Sequence, residues 1–201
     1  MRKIIILFIV FFILTVLINS CPIITEWDRV LIMQLQKEFA FLPIWLPMLP
    51  DCVLYTVMIV MPLLGFGIFF IYKKMYKDIL FLYSIPLVTY ILNFILKHII
   101  KRPRPPYELQ IANIHPDSFS YVSSHSLVTI CLWGMVIWYL QKYCKYKFLR
   151  ITGIIISIIW ILFVGLSRIW IGVHNPTDVL CAYMLGIALL LFYKQLRNYL
   201  N

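Results

Sequence analysis

Ser167-Arg168-Ile169-Trp170-Ile171-Gly172-Val173-His174-Asn175-Pro176-Thr177-Asp178 is the stretch on which the reading of this chain turns. It lies where one apolar run, 154–166, ends and the next, 179–192, begins. Arg168, His174 and Asp178 are groups that a membrane segment avoids, because burying ionisable side chains near lipid is costly. Asn175-Pro176 marks a helix start: Asn suits the N-cap and Pro the first helical position. Asp178 then falls in the first turn of the last helix, with His174 just ahead of it. A carboxylate there can hold one imidazole nitrogen and leave the other aimed outward, the arrangement of an oriented base or nucleophile.

Working outward, the chain is 63% hydrophobic and only 13% charged. The apolar residues gather into runs near the length a helix needs to cross hydrocarbon. The spacing predicts six spans, at about 4–20, 52–72, 79–97, 125–141, 151–167 and 176–193. Between the first two, 26–41 mixes charges with Trp27, Val30, Leu31, Leu35 and Phe39 on roughly one face. That pattern fits an amphipathic helix lying in the membrane interface. The expected fold is therefore all-α: a polytopic membrane bundle of six transmembrane helices with one interfacial helix, forming a single domain over 1–201. A soluble bundle with six such runs would have little polar surface left. The first run is expected to be a retained helix rather than a cleaved signal.

The net charge of +10 does not point to nucleic acid, because basic residues recur in short clusters between apolar runs. With both ends on the cytoplasmic side, eleven of the eighteen Lys and Arg residues fall on the inner face. The site then lies on the outer, periplasmic or extracytoplasmic side of what reads as a bacterial inner membrane. The five cysteines show no metal-ligand spacing. They suit small apolar fillers, with a Cys21–Cys52 disulfide left open.

Three polar groups converge on that outer face. Lys97 and Arg104 sit in a basic segment stiffened by Pro105, and a planar Arg fork suits phosphate oxygens. Ser123, Ser124 and His125 precede the fourth span. Small hydroxyl residues there are ordinary N-caps, yet a helix N-terminus also binds anions, and an adjacent His can donate a proton. Arg168, His174 and Asp178 complete the set.

Lys97-x6-Arg104-Pro105, Ser123-x-His125 and Ser167-Arg168-x5-His174-x3-Asp178 together resemble the three signature motifs of the type 2 phosphatidic acid phosphatase superfamily. That family includes lipid phosphate phosphatases, undecaprenyl pyrophosphate phosphatases and, more distantly, glucose-6-phosphatase and vanadium haloperoxidases. The resemblance runs from about the third span to the sixth. The middle motif departs from the usual Pro-Ser-Gly-His, with Val122 and Ser124 in place of Pro and Gly.

The resemblance implies a hydrolysis without metal or cofactor. His174 would attack phosphorus and form a phosphohistidine, Asp178 would hold its tautomer, and His125 would protonate the leaving group. Lys97, Arg104, Ser123, Ser124 and Arg168 would bind the phosphate oxygens. The partner is then a lipid phosphate or diphosphate in the membrane: undecaprenyl pyrophosphate, phosphatidylglycerol phosphate, phosphatidic acid or a lipid A phosphate. A non-catalytic lipid-phosphate binder or transporter is the alternative. A channel would need polar residues along the spans, where Asn93 is almost alone.

Overall fold

The computed structural model describes residues 2–111 and 116–200, without the side chains at 53 and 54. Among the described residues every regular element is helical. In order these are α1 (Arg2–Ser20), α2 (Pro22–Glu38), the short α3 (Trp45–Met48), α4 (Val53–Tyr72), α5 (Tyr76–Ile100), α6 (Ser124–Tyr143), α7 (Lys147–Trp170) and α8 (Pro176–Tyr199). Two 3-10 turns accompany them: Leu49–Asp51, which leads from α3 toward α4, and Tyr107–Leu109, between α5 and α6.

Helices α1, α4, α5, α7 and α8 are long and apolar enough to cross a membrane. Phe12, Met61, Ile68, Leu80, Tyr90 and Ile159 stand exposed along these helices, as lipid-facing side chains do and core side chains of a soluble bundle do not. The span expected at 125–141 corresponds to α6, which is long enough but diluted by Ser124, His125, Ser126, Thr129, Gln141 and Lys142. The physical reason is its place in the bundle. It packs against α5, α7 and α8, and Leu127, Cys131, Leu132, Met135 and Tyr139 are buried in those contacts. A helix screened by its neighbours needs no continuous apolar surface of its own.

The amphipathic helix begins earlier than expected, at Pro22, and has two working faces. Trp27, Val30 and Leu31 are exposed, whereas Asp28 and Ile32 are buried against the bundle. Gln36 donates to the carbonyls of Leu109 (2.8 Å) and Trp170 (2.9 Å), tying this helix to both site-bearing loops. Among the described residues no disulfide joins Cys21 to Cys52, and Cys131 and Cys181 are buried fillers.

Local chemistry sets where the site-bearing helices stop and start. Lys101 takes a left-handed conformation and ends α5. Pro103, Pro105 and Pro106 then keep the chain from resuming a helix. Between α7 and α8 the chain reverses through Gly172, whose φ is +75°. A Cβ built there would lie 1.9 Å from the Leu109 carbonyl oxygen. Only glycine fits both the conformation and that approach.

At the opposite end Asp78, in the first turn of α5, is buried and held by Arg197 of α8 at 3.0 and 2.9 Å, with the Tyr143 hydroxyl of α6 donating at 3.2 Å. This clasp joins α5, α6 and α8 at the end of the bundle away from the Gly172 turn and holds those ends in register.

Candidate active site

His174 follows the Gly172 turn and is 3% exposed. Its backbone N–H donates to the Arg168 carbonyl at 3.3 Å, which anchors the loop to the end of α7. Asn175 and Asp178 form a capping box at the start of α8, with the Asp178 carboxylate accepting from the Asn175 N–H at 3.0 Å. The helix start that the Asn-Pro pair predicts is therefore also what fixes the carboxylate.

The imidazole has two distinct sides. Nδ1 lies 3.7 Å from Asp178 Oδ2, too far for a direct hydrogen bond. Ser120 fills the gap: its hydroxyl donates to Asp178 Oδ2 at 2.5 Å and sits 3.4 Å from Nδ1. With its own proton committed to Asp178, Ser120 Oγ accepts from Nδ1–H. That assigns the tautomer and leaves a lone pair on Nε2. On the Nε2 side lies Arg104 Nη1, at 3.5 Å.

Burial pushes the His174 imidazole down to about 3, with Arg104 and Lys97 adding to the shift and Asp178 opposing it. The ring is therefore neutral at physiological pH. In the folded protein it takes up a proton only well below the usual histidine range, so its contribution to stability is complete above about pH 6.5. That contribution falls as pH drops from about 6.5 toward 3, where the unfolded chain binds the extra proton first. The chain has four histidines, so their ring carbons can be followed individually by NMR. We expect the His174 signals to stay flat between pH 8 and 5; a midpoint near 6.5 contradicts the burial argument.

Arg104 is fixed by Ser118, donating from Nε to its carbonyl at 2.7 Å and from Nη2 to its hydroxyl at 2.9 Å. Its Nη1 also donates to the Val173 carbonyl at 2.5 Å. Lys97 reaches the Phe119 carbonyl at 2.5 Å and lies within electrostatic reach of His174. A cavity of about 380 Å³ opens over Arg104 between 103–107 and 116–119, with a second of about 290 Å³ between α1, α2 and 102–106.

Arg168 and His125 face the same cluster from the other side. Arg168 is 1% exposed, and Lys97, Arg104 and Arg168 all act electrostatically on the His125 ring. Ser123 and Ser124 both stand at the site, and their hydroxyls differ in what they are engaged with. Ser123 Oγ caps α6 by accepting from the Ser126 N–H and hydroxyl, at 3.5 and 2.9 Å. Ser124 Oγ donates to Asn93, whose amide in turn donates to the Val122 carbonyl, both at 2.8 Å. What they can offer an anion is the Ser123 hydroxyl proton and the first-turn backbone N–H groups of α6. Ser124 is helical and not among the residues with positive φ, so replacing the usual Gly requires no strained backbone.

Sequence reasoning missed four residues. Arg102 donates to Asp178 Oδ1 at 2.5 Å and to Asp28 Oδ2 at 2.7 Å, and Asp28 also accepts from the Thr177 N–H and hydroxyl, at 3.0 and 2.6 Å. Ser120 is the bridge described above. Asp51 pairs with Arg168 at 2.6 Å and lies 3.8 Å from His125 Nε2. Only Arg102 carried a signal, as a basic residue inside the first motif's cluster. Asp28 and Asp51 look in sequence like surface charges.

Three comparisons bear on this arrangement. Phosphatidylglycerophosphatase B of Bacillus subtilis is 34% identical over 134 residues, an alignment covering 66% of this chain and 63% of that protein. Sphingosine-1-phosphate phosphatase 1 of Mus musculus is 29% identical over 102 residues, 50% of this chain and 23% of that protein. The crystal structure of a transmembrane PAP2-type phosphatidylglycerolphosphate phosphatase from Bacillus subtilis superposes with a TM-score of 0.78 at 26% identity, covering 100% of this chain and 98% of that one. The model of the PAP2 superfamily matches residues 77–201, which takes in each of the three motifs and more than half of the chain, and the chain belongs to that superfamily.

Proposed function

We propose that this protein is a membrane-embedded lipid phosphate phosphatase working through a phosphohistidine on His174. The observation that carries the reading is the two-sided imidazole: Nδ1 committed to Ser120 and Asp178, Nε2 bare beside Arg104.

In the proposed reaction the Nε2 lone pair attacks phosphorus and the bond to the leaving oxygen breaks. His125 gives that oxygen a proton. The Nδ1–H stays on the ring, and Asp178 offsets the positive charge that the phosphorylated imidazole carries. Water then attacks phosphorus and passes its proton to His125. Phosphate departs, and both histidines return to their starting states. Lys97, Arg104 and Arg168, with the N-terminal N–H groups of α6, neutralise the phosphoryl oxygens. Phosphoryl transfer needs mainly positioning and charge stabilisation, which these groups supply. A phosphoryl oxygen reaching Arg168 takes over from Asp51 as its partner.

The finer architecture is part of the same proposal. One domain over 1–201 places α6 as a sixth span, screened from lipid, and α2 in the interface with Trp27 and Leu31 toward the bilayer. Both termini are cytoplasmic, and the site faces the outside of a bacterial inner membrane. The basic clusters of 73–77, 142–150 and 194–197 all lie at the end away from His174, which agrees with that orientation. Of the candidate lipids, phosphatidylglycerol phosphate comes first, because that substrate is named for two of the relatives above.

The test is phosphate release from a panel of lipid phosphates by the purified full chain, with and without a chelator. We expect turnover on at least one lipid, unchanged by chelation. Binding without release would identify the chain as a lipid-phosphate binder instead. His125→Ala should slow turnover by about 10²–10⁴-fold for a lipid alkoxide leaving group. It should slow a nitrophenyl phosphate far less, because nitrophenolate leaves without a proton. Equal losses on both substrates would remove His125 from the acid role.

A further inference from the structure

Two cavities run together at the end of the bundle opposite His174. One, about 350 Å³, is an apolar groove between α4 and α6 lined by Met61, Pro62, Gly65, Phe66, Tyr139 and Leu140. The other, about 480 Å³, is edged by Lys73, Lys142, Lys145 and Arg150. They share Phe69, Tyr143 and Cys144, so the groove leads directly into the basic chamber.

Neither cavity is lined by an acidic side chain. Asp78, beside the lining residue Tyr143, is already taken by Arg197 and by that Tyr143 hydroxyl. Among the described residues none of Lys73, Lys142, Lys145 and Arg150 enters an ion pair. Ordinary topology signals explain basic residues at this face. They do not explain four of them edging one chamber that continues into an apolar slot. The slot is also kept open: a Cβ at Gly65 would meet nothing within 4 Å.

We propose that this groove binds one anionic phospholipid of the adjacent leaflet, with its phosphate among Lys73, Lys142, Lys145 and Arg150 and an acyl chain along Gly65 and Phe66. Basic pockets between transmembrane helices bind anionic headgroups in this way. The apolar arm selects a lipid over a free anion, because inorganic phosphate has nothing to place there. The site is separate from the catalytic one. Tyr143 is eighteen residues along α6 from His125, roughly 27 Å at helical rise.

The test uses delipidated full-length protein and native mass spectrometry with phosphatidylglycerol, phosphatidylcholine or inorganic phosphate. We expect one retained phosphatidylglycerol, held in clear preference to phosphatidylcholine. K145Q/R150Q removes two surface charges without touching the core and should weaken phosphatidylglycerol retention roughly thirtyfold. Gly65→Trp, which fills the open slot, should weaken it while leaving the four cations in place. Circular dichroism and phosphate release confirm that both variants are folded. Undiminished phosphatidylglycerol retention in K145Q/R150Q, equal retention of phosphatidylcholine, or inorganic phosphate competing as well as the lipid would each overturn the proposal.

Discussion

His174→Ala abolishes phosphate release while the protein stays folded: that is the result expected if the imidazole is the nucleophile. The loss should be on the order of 10⁴-fold or more, since removing a covalent nucleophile leaves only binding and electrostatic assistance. The fold should survive because the substitution orphans no charge. Asp178 keeps Arg102, Ser120 and the Asn175 N–H as partners. The cavity left behind adjoins polar groups that water can satisfy. A covalent readout separates nucleophile from bystander. Rapid quench with radiolabelled lipid phosphate should leave an acid-labile, base-stable label on the wild-type protein and none on His174→Ala. A variant that keeps even a few per cent of the turnover, or a label that persists without His174, would place the nucleophile elsewhere.

The part of this arrangement around His174 was legible in the chain because its signals are local. Asn175-Pro176 announces a helix start, and Asp178 follows from it at fixed helical spacing. Likewise Ser123 ahead of an apolar run announces the start of α6. The apolar runs located five helices long and apolar enough to cross a membrane, four of them to within four residues at each end, while the last continues six residues past the expected 193, to Tyr199. What stayed hidden depends on tertiary contact. Asp28 lies in a helix whose exposed Trp27 and Leu31 satisfy the amphipathic pattern, and that pattern says nothing about the buried opposite face. Ser120 sits in an irregular loop where serine is ordinary, and its meaning comes only from Asp178, 58 residues away. Asp51 pairs with Arg168 across 117 residues. Period and spacing cannot encode such pairings, because each partner is reached by a different element of the bundle. The same limit explains Ser124. Its motif position pointed to its backbone N–H as a phosphate donor, and nothing local announced that its hydroxyl would turn toward Asn93, a buried polar residue of the third span, and hold α6 to α5.

Those hidden contacts predict the second large effect. Arg102 is 5% exposed and spans two buried carboxylates, Asp28 at 1% and Asp178 at 0% exposure. It carries no substrate in the mechanism, yet Arg102→Met should be among the most damaging changes in the chain. Removing one member of a buried ion network leaves uncompensated charge behind and costs about 3–5 kcal/mol. For a chain of this size that corresponds to a melting temperature lower by roughly 6–20 °C in detergent. Activity should fall as well, because Asp178 then turns away from Ser120 or takes up a proton, and His174 loses its fixed tautomer. Arg102→Lys should rescue little, since a point charge cannot reproduce a fork that serves two carboxylates at once. Coupling gives the sharper test. Asp28→Asn alone leaves Arg102 paired with Asp178 and should cost less than Arg102→Met. Adding Asp28→Asn to Arg102→Met removes one of the two stranded charges and should restore part of the lost stability, so the two changes are expected to be less than additive. Strict additivity would mean that Asp28 and Arg102 do not share one network, and that α2 adds nothing to the support of Asp178.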